Sequence, residues 1–405
     1  MIRRSIEPQL QSLARTFPVV TLEGPRQSGK TTLARAAFPD WSYANLEDSA
    51  TRSLAQRDPA AFFARFPCPA IVDEVQRVPE LLGAIQVAVD RDGGNGRFLL
   101  TGSHQPRLKQ GIAQTLAGRT ALLTLLPFSI EELASAGIRP GRDELIHTGF
   151  LPAIYDRNQP PAAAWEAYYR TYVERDVRDL VRLAHQPQFE LFLRLLAGRV
   201  GGLLNLDTMS GEVGISATTL KQWMSVLEAG FVIFRLFPHA NNFGKRFVKT
   251  PKIYFTDVGL AAHLLGIETA EQAERDPLAG GLFENLVVVE ALKARLNAGK
   301  APNLWFFRDK AGREIDLVLD VRRKLRLYEI KRARTPDESL AGNLRKFRQL
   351  AGEAVASADV VYAGEPWPIP GGGRFLPFRD LAADVRQADA SDSLPVAPAS
   401  PLASR

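Results

Sequence analysis

One stretch constrains this chain before any other: Gly24-Pro25-Arg26-Gln27-Ser28-Gly29-Lys30-Thr31. Its pattern, G-x-x-x-x-G-K-T, follows an apolar β-branched run, Val19-Val20-Thr21-Leu22, and precedes a helix-forming run from Thr32 to Ala37. Strand, glycine-bounded loop and helix start, in that order, make a phosphate cradle. The glycines let backbone N–H groups turn inward around phosphate oxygens, and the helix N-terminus adds its positive dipole. Lys30 can reach β- and γ-phosphates, and the Thr31 hydroxyl can take a Mg²⁺ position. Gly24 to Thr32 are therefore expected to bind a nucleotide, with ATP and Mg²⁺ as cofactors.

Hydrolysis needs acid at the tip of a neighbouring strand. Pro69-Ala70-Ile71-Val72-Asp73-Glu74 supplies it. Asp73 would hold the Mg²⁺ water shell and Glu74 would polarise the attacking water. A further strand, Arg97 to Ser103, ends in polar residues, and either Thr101 or Ser103 can sit beside a γ-phosphate; the sequence does not choose. Arg119, in Leu116-Ala117-Gly118-Arg119-Thr120, is a candidate arginine finger toward a γ-phosphate, its own or a neighbouring subunit's. An ordinary surface arginine is the equal alternative.

These pieces carry a resemblance. The P-loop, Val72-Asp73-Glu74-Val75-Gln76, Leu99-Leu100-Thr101-Gly102-Ser103, Leu116 to Arg119 and Leu126-Pro127-Phe128-Ser129-Ile130-Glu131-Glu132-Leu133 follow one another as in a group of bacterial and archaeal AAA-type ATPases. Gly149-Phe150-Leu151-Pro152 and Tyr172-Val173-Glu174-Arg175-Asp176 match the same group, which usually has two glycines where this chain has Thr148-Gly149. The resemblance covers residues 1 to about 385. It implies an α/β chain: an AAA+ P-loop ATPase core over 1–160, joined to a C-terminal domain of unassigned role.

Between them, 161–188 reads as a helical lid, with Tyr168, Tyr169, Tyr172 and Val173 at helical spacing. Residues 189–270 read as a winged helix-turn-helix. Gly211 to Ser216 would make the turn, Ser216 would cap a helix over 217–227, and two strand-like runs, 231–234 and 252–255, would form the hairpin. From Phe231 to Thr256 there are five cations (Arg235, Lys245, Arg246, Lys249, Lys252) and no carboxylate, which suits contact with phosphates. Glu268 to Asp276 reads as a charged linker.

Residues 275–385 place Glu284 and Glu290 on a helix, then three strand-like runs, 304–308, 314–319 and 325–331. A turn over 321–324 makes the last two a hairpin and can bring Asp316 near Glu329. An acid on one strand and Glu-x-Lys on the next resembles the PD-(D/E)xK, restriction-endonuclease-like fold. There Asp316 and Glu329 would bind Mg²⁺, and Lys331, sharing a strand face with Glu329, would touch the same phosphate. By resemblance Glu284 supplies a helix acid, although the sequence leaves Glu284 and Glu290 open. Seven cations between Arg322 and Arg334 face Glu329 as the lone acid. Residues 386–405 read as a disordered tail.

Bulk properties bound the rest. One cysteine among 405 residues excludes an internal disulfide, and five scattered histidines argue against a histidine metal site. No run of about 18 apolar residues suggests a membrane span. The expected setting is the cytoplasm, in a homo-oligomer, with a net charge of +6 suited to DNA. The leading expectation is an ATPase that acts on or is regulated by DNA. An ATP-gated DNA endonuclease and an NTP-dependent switch with a silent nuclease-like domain are the alternatives.

Overall fold

Val19–Gly24 forms strand β1, at the heart of a five-stranded sheet. The structure is a computed structural model that describes all residues except 104–110, 113, 178–185, 240–248, 310–311 and 391–405. Lys245, Arg246, part of the expected lid and most of the expected tail thus lie outside the described residues. Helix α1 (Glu7–Thr16) precedes β1. Then follow α2 (Lys30–Ala37), β2 (Ser42–Asn45), α3 (Ser49–Arg57), α4 (Pro59–Arg65), β3 (Ala70–Asp73), α5 (Leu81–Asp92), β4 (Phe98–Ser103) and β5 (Thr120–Thr124). The strand order is β2-β3-β4-β1-β5, all parallel. A parallel sheet is covered on both faces, so β1, β3 and β4 are almost wholly buried runs rather than alternating ones. Separate apolar clusters fill its two sides. All strands point the same way, so the loop after β1 and the tips of β3 and β4 meet at one edge.

The chain continues through α6 (Ile130–Ser135), α7 (Arg142–Thr148), α8 (Pro152–Asp156) and α9 (Pro161–Tyr168), which runs into a π-helical stretch, Tyr169–Val177. Next come α10 (Gln186–Ala197), α11 (Leu206–Val213) and α12 (Ala217–Ala229), then β6 (Ile233–Leu236) and β7 (Lys252–Phe255), paired antiparallel. Gly214 turns left-handed at φ 74° between α11 and α12, and Ser216 caps α12 by accepting from Thr219 N. Helix α13 (Val258–Leu264) follows.

Residues 268–276 are not an open linker. Ala270–Arg275 is a helix, α14, with a reciprocal cap between Thr269 and Gln272. Its Ala273 is buried, and its Glu274 pairs with Arg334 and Arg142. One of the charges that suggest a linker, Glu274, is an ion-pair partner.

Helix α15 (Ala279–Asn297) is mostly apolar and buried on nearly every face, its Glu284, Asn285, Glu290 and Lys293 each paired within the interior. Gly281 permits this: a Cβ there would sit 2.6 Å from the Val200 carbonyl oxygen. Asn285 fixes α15 to β7 by accepting from Phe255 N and donating to Phe255 O, at 2.7 and 2.9 Å. Strands β8 (Leu304–Arg308), β9 (Glu314–Val321) and β10 (Lys324–Lys331) form an antiparallel meander. Helix α16 (Gly342–Ala351) then crosses to β11 (Val355–Tyr362), parallel to β10, and β12 (Trp367–Pro368) and β13 (Arg374–Pro377) complete the sheet. The β9–β10 turn is tighter than the expected 321–324. Val321 and Lys324 pair, and only Arg322 and Arg323, both at positive φ, make the turn.

Helix α17 (Leu381–Ala390) packs on α15. The expected tail therefore starts too early at 386: Arg386 is helical and holds Glu131 Oε1 at 2.6 Å. One apolar cluster runs unbroken from Ile2, Leu126 and Phe128 through Trp165, Trp223 and Tyr254 to Phe283 and Leu381. The middle segment and α15 share this core with the end of the first domain.

Candidate functional site

The loop after β1 folds around its glycines. Gly24 packs so closely that a Cβ would lie 2.1 Å from the Leu125 carbonyl oxygen. Gly29 is left-handed at φ 91° and caps α2, which places Lys30 as the first helical residue. The Lys30 ammonium donates to the carbonyls of Gly24 (3.1 Å) and Pro25 (2.7 Å). Burial pushes its pKa down to about 8, against the pull of Glu74 and Asp73. Ser28 Oγ donates back to Pro25 O at 3.0 Å. Arg26, Gln27 and Thr32 complete the loop and the first turn of α2, with Gln27 at φ 60°.

The acids stand beside it. Asp73, 3% exposed at the tip of β3, accepts from Thr31 Oγ1 at 2.9 Å, from Tyr43 OH at 2.8 Å and from Thr101 Oγ1. Both polar tips of β4 are thus present in different roles. Thr101 holds Asp73, whereas Ser103 belongs to Glu74, whose carboxylate is held by Gln76 Nε2 with Ser103 Oγ 2.9 Å from the same amide. Glu74 itself is left-handed at φ 58°. Burial, and then its bond to Asp73, push the Tyr43 hydroxyl pKa up. Thr31 and Asp73 adjoin one another as a Mg²⁺–nucleotide site requires.

Arg119 does not join this group. It lies just before β5, whose first residue, Thr120, pairs with Val19 at the start of β1. That is five residues, about 16 Å of strand, from Gly24. Its guanidinium is bidentate on Asp90 of α5, at 2.6 and 2.9 Å. It therefore cannot serve the phosphates of its own loop.

Arg4 and Glu132 escape a reading for motifs. Arg4, 6% exposed, donates to Ser28 O (2.6 Å), Leu126 O (2.6 Å) and Glu132 Oε1 (3.1 Å), and lies over the Phe128 ring. Glu132 also accepts from Ser5 N and Ser129 N. The phosphate loop thus rests on an arginine from the extreme N-terminus.

A second group forms where β9 and β10 meet α15. Asp316 Oδ2 accepts from Ile330 N at 2.8 Å, and Lys331 Nζ lies 2.8 Å from Glu329 Oε1 and 3.6 Å from Asp316 Oδ2. Glu284 faces this group, and Glu290 does not. Glu290 accepts from Ile130 N of α6 at 2.8 Å and from Lys293. Burial, with Asp316 adding to it, pushes both Glu284 and Glu329 up to about 7.

Several of the described cations expected to meet phosphates are engaged within the chain. Lys252 is 2% exposed and turned into the Glu284 group, and Arg235 is bidentate on Glu228. Arg326 and Arg334 pair with Asp384 and Asp143. On α16, Arg345, Lys346 and Arg348 are exposed and the helix carries no acid, with Arg345 donating to Glu338 O at 2.8 Å.

Residues 16–134 match a family described as an AAA domain. Residues 140–271 and 279–379 match two domains of unknown function, DUF8612 and DUF4143. The chain is 33% identical over 370 residues to the uncharacterized protein Rv2008c of Mycobacterium tuberculosis, spanning 90% of this chain and 80% of that one. The uncharacterized protein Mb2031c of Mycobacterium bovis matches equally. Among solved structures, the Walker-type ATPase PABY2304 of Pyrococcus abyssi is similar with a TM-score of 0.44 at 15% identity, over 65% of this chain and 96% of that chain.

Proposed function

We propose that this chain, which belongs to the same family as those mycobacterial relatives and carries a match to an AAA domain, hydrolyses ATP and couples that hydrolysis to DNA. The observation that carries the first part is the convergence of Lys30, Thr31, Asp73 and Glu74 at one edge of the sheet. In this reading the phosphates lie against the loop from Gly24 to Thr32 and the N-terminus of α2. Lys30 leaves the Gly24 and Pro25 carbonyls for the β- and γ-phosphates, trading a neutral partner for a charged one. Thr31 and Asp73 would hold Mg²⁺, which neutralises charge developing on the transferred phosphoryl group. Glu74 orients the attacking water, and Gln76 with Ser103 fixes its carboxylate. Thr101 keeps Asp73 in place. Arg119, remote from its own loop, would act only on a neighbouring subunit's nucleotide, which requires a homo-oligomer and can be checked by sizing with and without ATP.

DNA is favoured by the exposed cations of α16 and by the arrangement of α10 to α12 with the β6–β7 pair, which would form a helix-turn-helix with a wing. The test is the ATPase rate with and without a panel of DNA structures, in the native chain and in Lys30→Ala. A rate indifferent to every DNA removes the coupling.

A second reading, an ATP-dependent switch whose nuclease-like domain is silent, draws support from one observation. The buried Lys252 ammonium sits among the carboxylates that a nuclease would give to Mg²⁺.

A further inference from the structure

Lys252 opens β7, outside the C-terminal sheet, yet it ends inside that sheet's carboxylate group. Its Nζ donates to Glu284 Oε1 at 2.7 Å and to Glu314, and lies 3.6 Å from Asp316 Oδ1. Four carboxylates meet there: Glu284, Glu314, Asp316 and Glu329. Three cations face them: Lys252, Lys331 and Arg308, the last holding the second oxygen of Glu314 at 2.8 Å. An ammonium buried this deeply is tolerated only when paired.

The placement is built into the backbone. Lys252 pairs with Leu236 across β6–β7 and bridges Leu203 on its other side. Tyr254, two residues on and on the same strand face, donates to Glu284 Oε1 at 2.6 Å. Gly201 lets the 198–203 segment close over Glu284, since a Cβ there would lie 3.3 Å from its Oε2. Burial alone would pull the Lys252 pKa down, but Glu284, Asp316 and Glu314 together more than offset it and raise it.

A divalent ion would need these same oxygens at about 2.0–2.6 Å. The position is contested by an ammonium already bonded to two of the carboxylates. Among the described residues no group of three His, Cys, Asp or Glu side chains is arranged to hold a metal ion. The set present does not fit a metal-dependent nuclease centre.

We propose that Lys252 is the resident cation of the C-terminal carboxylate group, standing where a divalent metal would stand, and that the group is an ionic clamp between β7 and the C-terminal sheet. Glu284 of α15 and Glu314 and Asp316 of β9 bind Lys252, and Tyr254 and Gly201 pack against Glu284. The clamp ties the 186–264 segment to the last domain and leaves that domain without metal-assisted phosphodiester cleavage.

The test is Mn²⁺ binding by the nucleotide-free full chain, read by electron paramagnetic resonance. Four proteins are compared: native, Asp316→Asn, Lys252→Met, and Lys252→Met with Asp316→Asn. Lys252→Met should gain one Mn²⁺ per chain, bound about tenfold or more tighter than anything the native group binds, because a unit positive charge has left the site. The added Asp316→Asn should remove it. A folded Lys252→Met chain that gains no Mn²⁺ overturns the proposal. So does Mn²⁺ bound by the native chain and lost in Asp316→Asn. That native comparison decides the matter even if Lys252→Met fails to fold, and its negative result supports the clamp. ATP hydrolysis is read separately, through Lys30, so neither outcome bears on the ATPase reading.

Discussion

Replacing Arg4 with Met should loosen the phosphate loop from below. The native guanidinium makes two 2.6 Å bonds to the carbonyls of Ser28 and Leu126 and a 3.1 Å ion pair to Glu132, whose side chain is wholly buried. Breaking a buried pair by removing one partner costs about 3–5 kcal/mol. Glu132 keeps its bonds from Ser5 N and Ser129 N, so the lower half applies, about 3–4 kcal/mol. Urea unfolding read by tryptophan fluorescence measures it. Adding Glu132→Gln should recover more than half of the loss, because no unpaired charge is then buried. Nucleotide affinity should fall about tenfold, since about 1.4 kcal/mol of loop order is lost with the Ser28 anchor. A variant within about 1 kcal/mol of the native chain would refute the idea that Arg4 supports the loop.

Lys30 gives a pH signature. Its pKa in the folded chain is about 8, against 10.5 in an exposed chain. Between those values the unfolded chain binds more protons, so stability rises with pH across that window, by up to about 3 kcal/mol. Lys30→Met should flatten this rise and be the more stable protein at pH 7; equal slopes in nucleotide-free unfolding curves contradict it. Gly149 is left-handed at φ 68°, and a Cβ would lie 2.5 Å from both Asp257 Oδ1 and the Trp165 ring. Gly149→Ala should therefore cost at least about 3 kcal/mol in the same assay.

How far the fold can be read from sequence depends on how local each signal is. The phosphate loop is legible because its glycines, lysine and threonine must fall at fixed spacing. Asp73 and Glu74 are legible as the acidic end of an apolar strand. Arg4 is not, since an arginine near the N-terminus carries no sign of burial; the only hint is the Ser129–Glu132 cap with a second acid beside it. Helix α14 hides behind its charges, although Thr269 and Gln272 mark its cap. Glu284 and Glu290 cannot be separated by periodicity, because α15 is buried on nearly every face and has no distinct polar side. Lys252 reads as a surface cation on a strand, and its partners stand 32 to 64 residues further on. Pairings of that range follow from packing, which no local pattern records.

The central claim is that Gly24 to Thr31, with Asp73 and Glu74, turn over ATP in response to DNA. Steady-state phosphate release by the native chain, Lys30→Ala and Glu74→Gln, each with and without duplex and branched DNA, tests it most directly. The native chain should hydrolyse ATP faster when DNA is present. Lys30→Ala should lose hydrolysis, and Glu74→Gln should keep nucleotide binding while losing about a hundredfold or more in rate. A native rate unchanged by DNA, or matched by Lys30→Ala, would contradict the account.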